Sequence, residues 1–340
     1  MSTVGNKILM RLSFLCCVLP AGRAWAQQMT APIRQVTYED VFKQGYAVPK
    51  WEQGFLVAWK MDTSSFDVEE NLALYDGLGK LVGKTRIWFR DASFLRIEDA
   101  AARKDGNVAV VGWTVTSTGS HAAFLADVSV TRSSTRIIQT SPFEGRAVGF
   151  GPDGTIWVLG LEVGPGRRME AAPDHYMVQH FGTDDIVKDQ HLRRSDFHCE
   201  LAAQINGVPR VVASGDRIGL FAPFCRIWLE LSPAGEVLGQ WKWNARAPVS
   251  NGVEKLGGAR MASVRSVTLT SGNELYGRSD WPKPHSLLRF DRQSGDWIPV
   301  GTNAAEAAGA PFVWLEGSDD DTLVYGTVGK KLAWFKPDKE

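Results

Sequence analysis

An excess of charge of either sign is missing from this sequence: 38 basic residues stand against 38 acidic ones. A nucleic-acid-binding surface normally shows a marked basic excess, so that class of partner is excluded. Cysteine is also scarce, with Cys16 and Cys17 near the start and only Cys199 and Cys225 beyond. A disulfide-dense scaffold is therefore excluded, although Cys199 and Cys225 could bridge in an oxidising compartment or sit as two core thiols. No apolar run reaches the roughly 18 residues that span a bilayer as a helix. Helical periodicity is nearly absent. Asp99–Arg103 and Ala304–Ala308 are helix-friendly but short, and Thr37–Tyr46 offers at most one turn with Thr37 as its cap.

Catalytic signatures are lacking too. There is no G-x-S-x-G nucleophile elbow and no H-E-x-x-H pair. Gly149-Phe150-Gly151-Pro152-Asp153-Gly154 matches a dinucleotide fingerprint in letters, but a strand-like Thr155–Leu159 follows where the chemistry needs a helix N-terminus. Gly77, Gly83-Lys84-Thr85 mimics a phosphate loop with the wrong spacing and no helix after it. Asp319-Asp320-Asp321 lacks the Gly and distal Glu of a calcium loop and reads as a solvated turn. The densest group of potential metal ligands is His198-Cys199-Glu200, with His175, His180 and His191 nearby in sequence. In a strand His198 and Glu200 share a face, which makes them metal candidates, while ordinary satisfied histidines are the competing reading.

What is present begins with an export pattern. Lys7 and Arg11 precede the short apolar run Leu12–Leu19, and Ala24-Trp25-Ala26 places small residues at the cleavage positions before Gln27. The bulky Ser13-Phe14-Leu15 ahead of Cys16 and Cys17 argues against lipidation. Residues 1–26 read as a signal peptide and 27–340 as one mature domain, exported to the periplasm or secreted. Cleavage removes Lys7, Arg11 and Arg23 and no acid, leaving 35 basic against 38 acidic residues.

The mature segment is built of short strand-like runs punctuated by turns. Val108–Trp113 (VAVVGW), Ile156–Leu161 (IWVLGL) and Arg226–Leu231 (RIWLEL) are examples. One recurring unit is a turn followed by an apolar strand, at Asp105-Gly106-Asn107, Asp153-Gly154-Thr155, Ser271-Gly272-Asn273 and Asp320-Asp321-Thr322, with the Gly expected to supply positive φ. A second is a strand, a small loop and another strand, around Asp76–Gly79, Ser232–Gly235 and Asp291–Gly295. Alternating the two gives four-stranded antiparallel modules of about fifty residues, the length of a propeller blade. The expected fold is all-β: one six-bladed β-propeller with blades near 42–92, 93–142, 143–196, 197–250, 251–307 and 308–340, seven being the alternative count. The last module has room for three strands, and residues 31–38 are expected to supply its fourth and close the ring. A β-sandwich pair or β-helix does not explain the two alternating hairpin types.

Among thirteen tryptophans, Trp157, Trp228 and Trp314 lie in apolar strands and read as core. Trp241 and Trp243 share one strand face, either as a binding stripe or as packing between blades. The polar and aromatic stretch 278–285, with Trp281 and His285, reads as a recognition loop.

Gly151-Pro152-Asp153-Gly154-Thr155-Ile156-Trp157-Val158 resembles the repeat of six-bladed propellers of the NHL and sensor-propeller kind, with fainter copies at 105–110, 271–276 and 320–325. The resemblance implies an extracytoplasmic binding protein. Similar scaffolds of the gluconolactonase-like kind hold a divalent metal on the channel axis, but their Glu, Asn and Asp ligands find no residue-by-residue match here. The leading expectation is a non-enzymatic, monomeric propeller without cofactor that binds a protein or small ligand at one funnel face. The rival is a metal-dependent hydrolase or lyase with its ligands converging on the channel.

Overall fold

A computed structural model of the chain describes residues 32–39, 41–42, 47–163, 174–184, 186–197, 208–223, 225, 227–242, 264–279, 286–301, 313–327 and 330–337. The strands form six antiparallel sheets arranged as blades. After β1 (Arg34–Thr37), the first blade holds β2 (Ala47–Glu52) and β3 (Phe55–Lys60). A short β4 (Asp62–Ser64) then leads to β5 (Leu72–Tyr75) and β6 (Leu81–Thr85), which complete that blade. The second blade is β7 (Ala92–Ala102), β8 (Asn107–Thr116), β9 (His121–Ser129) and β10 (Ser134–Gln139). The third is β11 (Phe143–Phe150), β12 (Ile156–Glu162), β13 (Tyr176–Phe181) and β14 (Val187–Arg193). The fourth comprises β15 (Arg210–Ser214), β16 (Arg217–Ala222), β17 (Ile227–Leu231) and β18 (Val237–Lys242). The fifth comprises β19 (Val264–Leu269), β20 (Leu275–Ser279), β21 (Ser286–Asp291) and β22 (Asp296–Gly301). The sixth contains β23 (Val313–Asp319), β24 (Thr322–Thr327) and β25 (Lys331–Phe335), and β1 pairs antiparallel with β25 as its fourth strand. The expected six-bladed propeller and its N-terminal closure are both present.

Apolar packing runs between blades. The six buried clusters among the described residues each join two neighbouring blades, so the ring is held together seam by seam. Trp157 and Trp228 are fully buried in these seams, as expected. At the seam of blades six and one, Trp51 meets Trp334 edge-on at 5.0 Å. Burying such large rings against the flat face of the next sheet is the main apolar gain available to a radial fold. Ion pairs add to the seams as well. Glu230 of blade four, itself fully buried, binds Arg292 of blade five at 2.6 Å, and Glu98 of blade two binds Arg146 of blade three at 2.9 Å.

Several local expectations need correction. Thr37 closes β1 as a strand residue and does not cap a helix. Asp99–Ala102 belongs to the long strand β7, because tertiary burial of its alanines outweighs their helix propensity. Gly106 and Gly154 supply positive φ at their turns, but at 271–274 Asn273 does so, and at 319–322 Asp320 does. Asn and Asp tolerate the left-handed region because their short polar side chains bond locally. Blade two has a fifth strand: β4, from the β3–β5 connection of blade one, pairs with β7. The sequence 149–154 forms the β11–β12 hairpin, and 77–85 lies in the β5–β6 hairpin, so neither is a nucleotide loop.

Candidate functional site in the central channel

The first strand of each blade (β2, β7, β11, β15, β19 and β23) packs against its counterparts in the neighbouring blades, and together they wall a central channel. Strand alternation puts Lys50 and Glu52 on one face of β2 while Trp51 turns into the seam. In β7 the pairing register skips Glu98, and in β23 it skips Glu316. A bulge of this kind re-aims a side chain without ending the strand.

Six ionisable side chains, five of them buried and Glu52 nearly so, meet across this space. Lys50 Nζ donates to Asp99 Oδ2 at 3.1 Å and to the Val148 carbonyl at 2.8 Å, and lies 3.4 Å from Glu52 Oε2. Asp99 Oδ2 also accepts from the Val148 N–H at 2.9 Å, while Arg210 Nη1 stands 3.7 Å from Asp99 Oδ1. Glu316 feels both Arg210 and Arg278. Glu52, Arg210 and Glu316 line a cavity of about 60 Å³ together with Lys50, Thr268 and Ser318, room for a few waters or one small polar group. Glu52 Oε2 and Arg210 Nη1 are buried, and they are held by the long contacts to Lys50 and Asp99 rather than by close hydrogen bonds. Trp314, expected in the core, is instead 39% exposed near the start of β23, with the Arg278 guanidinium 4.7 Å from its ring centre. A planar cation on an indole face is a stable pairing that keeps the ring accessible.

Burial raises the Glu52 carboxyl to about 7, against the pull of Lys50 and with help from Asp99. Burial likewise raises Glu316 to about 7, against Arg210 and Arg278. Both groups hold a proton in the folded chain that the unfolded chain gives up near 4.5. Their contribution to stability is therefore complete below pH 4.5 and is lost as pH rises through about 7. Thermal melts are expected to fall between pH 5 and pH 8, by up to about 3 kcal/mol per group. Glu316→Gln should flatten that decline and melt higher than the parent at pH 8; an unchanged profile would count against buried protonation.

A divalent cation on the axis requires several oxygen ligands converging on one point. Here a cationic side chain already faces each of the three channel carboxylates: Lys50 for Glu52 and Asp99, Arg210 for Asp99 and Glu316, and Arg278 for Glu316. Among the described residues the donor set does not fit a channel metal.

No family profile matches the chain, and no curated protein does. Solved structures do. A candidate gluconolactonase aligns over 92% of this chain and 97% of its own at 13% identity, with a TM-score of 0.49. A protein of unknown function from Bacteroides caccae aligns over 86% and 95% at 12% identity, with a TM-score of 0.38. TolB from Acinetobacter baumannii aligns over 84% of this chain and 65% of its own at 14% identity, with a TM-score of 0.36. At these identities and scores none of them bears on function.

Of the residues singled out in the sequence, Trp241 is half-buried and stands edge-on to Phe290 at 5.3 Å, filling the seam of blades four and five. Trp243, Trp281, His285, His198, Glu200 and Cys199 lie outside the described residues, as does the whole segment 1–31. Cys225 is buried and disulfide-bonded, and the other three cysteines all fall outside the described residues. Asp319, at the β23–β24 hairpin, accepts from Trp334 Nε1 of β25 at 3.2 Å, in keeping with a structural turn. Sequence reasoning missed Lys50, Glu52, Asp99, Arg210 and Glu316. A usable signal existed: in several modules a charged residue sits inside the first strand, a few positions before the turn. Such charges are rare in buried strands unless paired.

Proposed function

We propose that this chain is an exported, non-enzymatic propeller of the sensor kind that binds a small polar ligand in its central channel. The observation that carries the reading is that Glu52 Oε2 and Arg210 Nη1, both buried on the wall of one cavity, are held only by long ion-pair contacts, at 3.4 Å from Lys50 Nζ and 3.7 Å from Asp99 Oδ1. Buried polar atoms are normally closely hydrogen-bonded, so a site where both an acceptor and a donor are paired only at long range fits a ligand carrying an ammonium or hydroxyl beside a carboxylate. The interleaved Lys50, Arg210 and Arg278 favour such a binder over a metal-dependent lactonase, because they occupy the surroundings of the carboxylates that a metal would need. Export rests on Lys7, Arg11, the run Leu12–Leu19 and Ala24-Trp25-Ala26.

The test is a thermal-shift screen of the mature protein against amino acids and short hydroxy acids, followed by calorimetry. At least one ligand is expected to raise the melting temperature of the parent and to lose roughly 100-fold or more in affinity in Arg210→Met, the scale of losing a charge-assisted hydrogen bond pair. The same preparation should leave sugar lactones intact. Lactone turnover that disappears in Glu316→Gln would overturn the binding reading in favour of the hydrolase.

A further inference from the structure

We propose that the outer half of blade three holds a transition-metal ion of the zinc class through His180, Asp189 and His191. This site is separate from the channel and independent of the ligand reading given for it.

The β12–β13–β14 register builds the site. Trp157 stands opposite His180, His180 opposite Asp189, and Val178 opposite His191. Trp157, His180 and Asp189 are thus side by side on one sheet face, with His191 two residues along β14 on the same face. The Trp157 indole lies nearly parallel to both imidazoles, at 4.1 Å and 17° for His180 and at 5.5 Å and 19° for His191. One donor atom from each of His180, Asp189 and His191 falls within 4.8 Å of the others.

The second observation is the state of the imidazoles. His180 is only 5% exposed, yet neither its Nδ1 nor its Nε2 has a hydrogen-bond partner. His191 Nε2 is likewise buried and unbonded. His180 Nδ1 stands 3.8 Å from Asp189 Oδ2, too far for a hydrogen bond; a buried imidazole without one is costly and uncommon, and a bound ion removes that cost. The β17–β18 turn of blade four covers His191: a Cβ on Gly235 (φ +87°) would come within 2.1 Å of its Cε1. A rigid wall of indole on one side and turn backbone on the other holds the rings in place.

A neutral imidazole offers a free ring nitrogen lone pair to a metal at neutral pH. Two imidazole nitrogens and one carboxylate suit zinc and its neighbours rather than calcium or magnesium, which prefer all-oxygen sets. Tetrahedral zinc brings its donors to about 3.4 Å apart. The Asp189 side chain, 58% exposed, can swing to complete that geometry, and the fourth position would face solvent.

The probe is zinc itself, titrated into the full mature chain in competition with a chelating dye, with cobalt substitution read by visible absorption. One zinc per chain is expected, with cobalt bands typical of mixed nitrogen and oxygen ligands and a higher melting temperature. His191→Asn and Asp189→Asn should each weaken zinc by roughly 100-fold or more, since even residues that only support a ligand commonly cost 10–100-fold. Asp189 is exposed, so Asp189→Asn should melt like the metal-free parent and separates lost binding from lost folding. Less than stoichiometric zinc in the parent, or parental affinity in both variants, overturns the proposal.

Discussion

Deleting residues 27–38 is expected to cost the protein about 3–5 kcal/mol and roughly 10 °C in melting temperature. The strand removed, β1, pairs with β25 over Arg34↔Trp334, Gln35↔Ala333, Val36↔Leu332 and Thr37↔Lys331. Flanking bonds run from Ile33 N to Trp334 O at 2.9 Å and from Tyr38 N to Lys330 O at 3.0 Å. The Arg34 guanidinium lies 4.3 Å from the centre of the Trp334 ring, and Tyr38 packs on Tyr75 of blade one at 5.4 Å. Val36 also presses on the β5–β6 turn, where Gly79 leaves no room for a Cβ beside it. β1 therefore completes blade six and fastens it to blade one. Its backbone bonds contribute about 1 kcal/mol each, the cation on the indole a similar amount, and part of this is offset by the entropy of ordering the strand. The exposed edge of β25 would then be free to pair with another chain. Thermal melts and size-exclusion chromatography check both effects. A deletion variant that stays monomeric and melts within a degree of the parent would falsify the closure role of β1.

Lys50→Met is expected to be as damaging, at about 3–5 kcal/mol, the scale for stripping one partner from a buried ion pair. The Lys50 side chain is 3% exposed and Asp99 only 2%, so neither can turn to water. Methionine fills the volume but leaves Asp99 with the Val148 N–H and a guanidinium at 3.7 Å. It also removes the ammonium that opposes the upward push on Glu52, so that carboxyl should hold its proton to higher pH than in the parent. Adding Asp99→Asn should restore part of the loss, because it withdraws the uncompensated charge while keeping an oxygen for the Val148 N–H. Chemical denaturation of the two single variants and the double variant measures the coupling, expected at about 1–3 kcal/mol. Strict additivity would mean that Lys50 and Asp99 act separately and that the channel is not one network.

The blades were legible because their information is local. Turn units such as Asp105-Gly106-Asn107 and Asp153-Gly154-Thr155 mark hairpins by their own backbone requirements, and alternating apolar residues mark strands between them. The closing strand was legible for the same reason, as a strand pattern left over beside a module one strand short. Two local readings failed where a neighbour overruled propensity. Asp99–Ala102 became part of β7 under burial against blades one and three, and Asn273 took the turn conformation expected of Gly272.

The sites depended on information that no local window holds. Lys50, Asp99, Arg210 and Glu316 are separated by tens of residues and come together only because six first strands converge on one axis. His180 and His191 were visible as histidines, but their shared face follows from the β13–β14 register, and their Trp157 platform comes from a third strand. The sequence by itself determined the class, the blade count and the closure, since hairpin chemistry repeats along the chain. Only the tertiary structure decided which charges and imidazoles are buried together, because burial and pairing are properties of converging strands.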